Sequence, residues 1–482
     1  MTGPPMAGRG NDHGSHLVLS GGSLITGDGK THLERASIRI KDGVIIEISE
    51  GPIEASDSET VVSTKGHLML PGFINGHAHA TIAGPSMPSG SAPLSLDDVR
   101  YQRNRHLLSG TTSLINVCGL ALSEERDGAL EPHALDIHMT SAHTPHSLAA
   151  ADQIDGQGLT PRHRSARLED LVSRGCRVLG EAGGGQTLGG GAQDYRFIPD
   201  AIEEKTGVRI SAHLARQLKE AVLGRNLDGK IRISEAALQD LLDENAIDLT
   251  AHTLAELLRT KVLAPVHCAR LGLEEIAEAS ARLKLPAIFH HALPTATTLI
   301  ALAKQYPGSR MVAAHANHPS FRPEEACAYA RALKALGVTI DVSTLDMIET
   351  RFRNHPDNLD ALVDAGLIDT LSTDYAGGDW DSIASALHRI TRKNGWSLPR
   401  AVALATGNVA HVFPELFADR GLLQAGRKAD IVIAEPHNIS KIRHVYKDGR
   451  LVVSDGMLFP SAVHGLQRKN SSKRRIVSGM TC

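Results

Sequence analysis

Residues 68–84 read LMLPGFINGHAHATIAG, and they divide the chain into two kinds of sequence. A short apolar run meets a Pro-Gly turn at Pro71-Gly72, and two histidines, His77 and His79, follow one residue apart. In a strand, residues two apart face the same side, so both imidazoles can bind one ion. A lone His-x-His is a weak signal. Here it follows an apolar strand and a turn, and more ligand types close later strands.

Upstream of this stretch the chain is β-rich. HLVLSGGSLITGDG, ASIRIKDGVIIEISE and TVVSTKGHLMLPG alternate apolar and polar residues and break at Gly and Asp. Asp42-Gly43 suits a two-residue hairpin, because both positions must tolerate positive φ. The same pattern returns near the other end, in KADIVIAEP and in HVYKDGRLVVSDG with its Asp448-Gly449 turn. Two such segments around a long middle point to one small β domain drawn from both chain ends; two unrelated sheets are the alternative.

Downstream, strand-like runs alternate with helical ones. TSLINVCGL, ALDIHMTSAH, CRVLGEAGGG, LPAIFHHAL, RMVAAHANH, GVTIDVSTL and IDTLSTDYAGG are separated by helical patterns such as PEEACAYARALKALG. Strand-helix repetition implies parallel strands with crossover helices. About eight units fit a closed (β/α)8 TIM-like barrel. A doubly wound open sheet is the competitor, weakened because no Gly-rich dinucleotide fingerprint follows the first strand.

Polar residues recur at one end of these strands. His77/His79, Glu181, His290/His291, His315 and Asp374 each close an apolar run and precede a loop. In a parallel barrel such ends converge on one mouth. A buried carboxylate such as Glu181 is costly unless paired or bound to a cation; a surface-loop glutamate is the bland reading. Neutral imidazole is a common ligand for zinc and iron. Only one of His290 and His291 can point inward, since strand neighbours face opposite ways. His267 also ends a short apolar run and competes with them. Asp374 could bind metal and carry a proton in metal-assisted hydrolysis. Asn75, Thr81, His143, His146, Gln186 and Tyr375 could line the pocket. GGGQTLGGG does not match a phosphate-loop spacing and reads as a flexible active-site loop.

Composition bounds the rest. The chain has 482 residues, a formal charge of −3 and 3% aromatics. Nothing electrostatic favours nucleic acid or an acidic membrane surface, and few aromatics are present to stack on bases. Five scattered cysteines without a CxxC pair fit a reducing, cytoplasmic setting. The Gly/Pro-rich start lacks the apolar core of a signal peptide. The expected layout is an arm at 1–15, β-sandwich parts at 16–69 and 416–458, and a barrel at 70–415. A largely helical insertion falls at about 195–280, and a basic tail at 459–482.

At this point a resemblance enters. PGFINGHAHA, STDYAGG, and ALATGNVAHVF followed by RGLLQAGRKADIVIAE resemble segments of the amidohydrolase superfamily of metal-dependent hydrolases. DLVSRGCRVLGEAGGG is similar to the segment of enamidase-like members that carries a glutamate where many relatives carry a carboxylated lysine. The resemblance implies two divalent ions, zinc, iron or both. It implies His77 and His79 as ligands of the more buried ion, Glu181 as the bridge, and His290 and His315 as ligands of the second. Asp374 would be ligand and general base and acid. The implied reaction is cleavage of an amide-like C–N bond, in a cyclic amide or enamide, by a metal-activated hydroxide. The substrate would be a small molecule and the protein a homo-oligomer. A ring deaminase or a urea or carbamate hydrolase is the alternative within the superfamily. A silent barrel serving as a binding or assembly module is the alternative outside it. Lys205 or Lys261 would be the bridging candidates if a carboxylated lysine were used.

Overall fold

The structure, a computed structural model, describes residues 16–188, 190, 193–227, 233–344, 356–374 and 382–459. The arm at 1–15, the tail beyond its first residue, and Tyr375 lie outside the described residues.

The N-terminal strands are β1 (His16–Ile25), β2 (His32–Lys41), β3 (Val44–Glu50), β4 (Thr60–Ser63) and β5 (Leu68–Pro71). Then come β6 (Phe73–Ala78), β7 (Thr111–Asn116), β8 (Asp136–Met139), β9 (Leu179–Ala182), β10 (Pro286–His290), β11 (Arg310–Ala314), β12 (Thr339–Ser343) and β13 (Thr370–Ser372). The last are β14 (Ile431–Glu435), β15 (Asn438–Lys447), β16 (Arg450–Ser454) and β17 (Met457–Leu458).

Both chain ends build one nine-stranded sheet, joined where β5 pairs antiparallel with β14. The two Lys-Asp-Gly stretches are hairpin turns: Asp42 and Gly43 lie at φ +49° and +80°, Asp448 and Gly449 at +46° and +72°. The turns meet. A Cβ on Gly43 would come within 2.9 Å of the Asp448 carbonyl oxygen, so glycine is required there for close approach as well as for φ. The expected two-part sandwich is therefore a single hydrogen-bonded sheet that curls until its distant hairpins touch. Leu19, Ile38, Ile45, Met69, Ile431, Ile433 and Tyr446 share the core so enclosed.

The middle strands are parallel and paired in chain order. One sheet runs β6-β7-β8, the other β9 to β13. Two parallel bridges, Ser141 to Leu179 and Ala78 to Asp374, join their edges. The eight strands thus follow one another round a ring, as a (β/α)8 barrel requires. Ile74, Ile115, Ile288 and Val312, from four of these strands, pack with Val409, Phe413 and Phe417. Strands buried on both faces explain why these segments read as continuous apolar runs rather than alternating ones.

Between β9 and β10 the described residues form the α-helices Ile198–Thr206, Ala212–Leu223, Glu235–Glu244, Ala251–Leu258 and Ala264–Leu283. Ser211, Ser234 and Thr250 cap three of them by accepting a backbone N–H three residues on. Leu218, Val222, Leu242, Leu254, Leu258 and Val262 give this segment an apolar core separate from the barrel's. Arg225 donates to Glu325 and to the Ser320 carbonyl, and Arg270 to the Pro294 carbonyl. These acceptors follow β10 and β11, so the helical segment leans on the loops at the C-terminal ends of the strands.

Candidate metal centre

Six side chains from five segments converge at those strand ends. His77 is in β6 and His79 just past it; Glu181 is in β9; His290 ends β10; His315 follows β11; Asp374 follows β13. Glu181 stands at the centre. Its Oε2 faces His79 Nε2 at 3.6 Å and His77 Nε2 at 3.9 Å, and its Oε1 faces His290 Nδ1 and His315 Nε2, each at 3.2 Å. One carboxylate is divided between two histidine pairs. Asp374 Oδ1 closes the first pair, 3.3 Å from His77 Nε2 and 3.5 Å from His79 Nε2.

His77, His79, Glu181, His290 and His315 are all at most 4% exposed. Burial alone would push the Glu181 carboxyl up, but hydrogen bonds from His290 and His315 outweigh it and hold the group far below the usual range. Burial likewise opposes the charge on Asp374, and hydrogen bonds from His77 and His79 pull it well below. Burial disfavours charge on His77 too, yet bonding to Asp374 and the Glu181 charge raise it. Burial and the nearby His315 lower His290. A buried and a partly buried carboxylate that stay ionised beside imidazoles favour a cation between them.

The donor set fits divalent metal. Three groups each offer one ligand atom per residue, all within 4.8 Å of one another: His77, His79 and Glu181; His77, His315 and Asp374; Glu181, His290 and His315. Imidazole and carboxylate together suit zinc and iron.

The structure separates the histidines left open by sequence. His290 faces Glu181, whereas His291 turns the other way, 4.9 Å from the Phe321 ring, with burial lowering it to about 3. His267 does not end a strand. It is exposed on the helix Ala264–Leu283, as His213 and His252 are exposed on theirs. The reason is periodicity: VLAPVH belongs to a helical turn whose apolar residues face the segment's own core. Lys205 and Lys261 are exposed on helical turns of the same segment.

The pocket-lining candidates divide. Asn75 and Thr81 are buried and committed to Thr373 and Asn116. His143 is bonded to Ser141, and Gln186, in the glycine-rich loop after β9, accepts from Ser91. His143 and His146 line a groove of about 390 Å³ between the helices Pro145–Ile154 and Ala264–Leu283, where His146 is bonded to Glu275 at 2.6 Å. Three residues near the cluster escaped sequence reading. The His318 ring lies 5.5 Å from that of His290 and 5.6 Å from that of His315. Asn317 ties the His315 loop to β12, and Asp341 accepts from Thr370 and Ser372. His318 and Asn317 stood in view in AAHANHP, one turn past His315, but their partners did not.

Residues 162–453 match the model of a family described as the amidohydrolase family. Among solved structures, the chain is similar to a β-aspartyl dipeptidase from Fervidobacterium islandicum AW-1, at 16% identity and TM-score 0.51 over 94% of this chain and 98% of that one. It is similar to the dihydropyrimidinase from Brevibacillus agri NCHU1002, at 15% identity and TM-score 0.51 over 93% and 97%. It is also similar to an N-acyl-D-glutamate deacylase from Bordetella bronchiseptica, at 17% identity and TM-score 0.51 over 92% and 98%. No curated protein matches the chain by sequence. At these identities the structural likenesses are likenesses of fold.

Proposed function

The chain belongs to the amidohydrolase family, and from that premise we propose that it is a metal-dependent hydrolase opening a cyclic amide or enamide at its C–N bond. The observation that carries this is Glu181, with one carboxylate oxygen toward His77 and His79 and the other toward His290 and His315. His77, His79 and Asp374 would hold one divalent ion, His290 and His315 the other, with Glu181 between. Zinc and iron suit these donors, and the Bordetella deacylase was crystallised with zinc. Bound there, such ions polarise a carbonyl and lower the pKa of water from about 15.7 toward neutrality.

The chain's own groups do the rest. The Asp374 carboxylate is ionised at neutral pH, so it can accept a proton from the attacking water. It then returns that proton to the departing nitrogen as the C–N bond breaks. Glu181 keeps both histidine pairs at fixed separation and stays charged. Burial of the histidines keeps bulk water off the donors. The substrate is a small molecule that enters from the mouth, beside the helical segment.

The test is metal analysis of the purified protein together with turnover of a panel. The panel holds dihydrouracil, hydantoin, an unsaturated lactam, a linear urea and an aminated ring. Two divalent ions per chain, and ring opening of a cyclic amide to a carboxylate, are expected. Absence of transition metal, with no turnover on adding it, would overturn the proposal. Release of ammonia from the aminated ring with the ring intact would replace it with deamination.

A further inference from the structure

Asn75 lies in β6 two residues before His77, and its side chain is wholly buried. Its Nδ2 donates to Thr373 Oγ1 at 2.7 Å. Its Oδ1 accepts from the backbone amides of His77 and Thr373, both at 3.2 Å. A single carboxamide thus joins the strand that carries His77 and His79 to the residue before Asp374. Beside it the Asp374 amide donates to the His77 carbonyl at 3.0 Å.

We propose that Asn75 and Thr373 form a clasp that positions the Asp374 carboxylate over His77 and His79, making both positioning residues for proton transfer. The proposal rests on Asp374 being the proton carrier. Three observations support it. First, Asp374 sits at φ +63°, and a non-glycine residue persists there only when its surroundings over-determine it. Second, β6 and β13 meet at the seam of the ring, where the bridge between Ala78 and Asp374 is the only pairing among the described residues. Third, the device recurs. Asn317 is buried two residues past His315, which itself lies at φ +39°. Its Nδ2 donates to the Ser343 carbonyl at 2.9 Å and its Oδ1 accepts from the Ser343 amide at 2.8 Å. Each left-handed site residue therefore has a buried carboxamide tying its loop to the adjacent strand.

The chemistry explains asparagine. The position needs an acceptor for two amides and a donor for one hydroxyl. It must also be neutral, because a carboxylate at that position would repel Glu181 and Asp374. Leucine fits the volume but leaves two buried N–H groups unpaired.

The experiment compares full-length Asn75→Ala, Thr373→Val, Thr373→Ser and Asp374→Asn by crystal structure, metal content and steady-state turnover of dihydrouracil and hydantoin. In Asn75→Ala and Thr373→Val the Asp374 carboxylate leaves its 3.3 and 3.5 Å contacts with His77 and His79 while metal content persists. kcat falls about 100-fold and about 10-fold respectively, with KM little changed, the scale of loss expected from a misplaced group. Thr373→Ser, which keeps the hydroxyl, restores both geometry and kcat. Asp374 contacts that persist in the alanine and valine variants would overturn the clasp; so would kcat falling only in step with lost metal. If Asn75→Ala does not fold, the Thr373 pair decides. If Asp374→Asn keeps full kcat, or the parent opens no ring, the proton-carrier reading fails, and the crystal structures still decide the clasp.

Discussion

Two sets of histidines in this chain have similar sequence surroundings and opposite fates. His77, His79, His290 and His315 stand at or beside the ends of parallel strands and are buried around one glutamate. His213, His252 and His267 stand on helices between β9 and β10 and face outward. An apolar run precedes members of both sets. What differs is the element. A strand end in a closed ring aims its side chain at a shared point, whereas a helix with its own core turns its polar face away from that core. Convergence comes from topology, and the residue type only makes use of it.

The largest test of this contrast is Glu181→Ala. Removing the group that both histidine pairs face should strip metal and lower kcat/KM by more than about 100-fold, beyond what loss of an outer-shell partner costs. Retained metal with full activity would dissolve the distinction between the two sets. Next is the doublet. His290→Ala should lower metal content and activity, whereas His291→Leu should leave both intact, because His291 packs toward Phe321. Equal losses would show that facing direction does not decide function.

A pH experiment sharpens the comparison on a third kind of histidine. His106 is wholly buried in the helix Leu96–Leu108, neither ring nitrogen has a hydrogen-bond partner among the described residues, and burial lowers it from 6.5 to about 4. The unfolded chain takes up this proton near 6.5 and the folded chain only near 4. Its contribution is therefore fully present above pH 6.5 and is lost as the pH falls toward 4. His106→Leu should flatten the acid side of the stability curve by up to about 1.4 kcal/mol per pH unit in that window. Chemical denaturation at pH 7.5 and pH 5 measures it, and parallel curves would sink the expectation. The smallest effect belongs to the combined His213→Ala, His252→Ala and His267→Ala variant. Metal content should not change, and stability should move by no more than about 0.5 kcal/mol per site.

Much of this candidate site was legible in the sequence because its candidate donors stand beside strand ends, where apolar runs stop at visible places. His77, His79, Glu181, His315 and Asp374 each close such a run. The doublet was half legible: alternation says that the two histidines face opposite ways, and only the structure puts His290, rather than His291, against Glu181. His267 stayed a competitor in the sequence because PV before it mimics the close of a strand, whereas it lies in a helix. The hairpin turns were legible from Asp-Gly, but the single curled sheet was not, since it depends on β5 pairing with a strand more than three hundred residues away. The Asn75 clasp was hidden for the same reason. Its partner lies 298 residues on, and an isolated asparagine carries no mark of the bond it will make.

The seam between β6 and β13 has a temporal meaning. The ring closes where Ala78 meets Asp374, and the same meeting completes the set of six donors. A chain emerging from the ribosome carries five of them long before it carries the sixth. On the proposed reading of the site, the donor set cannot assemble gradually along such a chain; it is complete only when the last barrel strand docks, with more than a hundred residues still to follow Asp374.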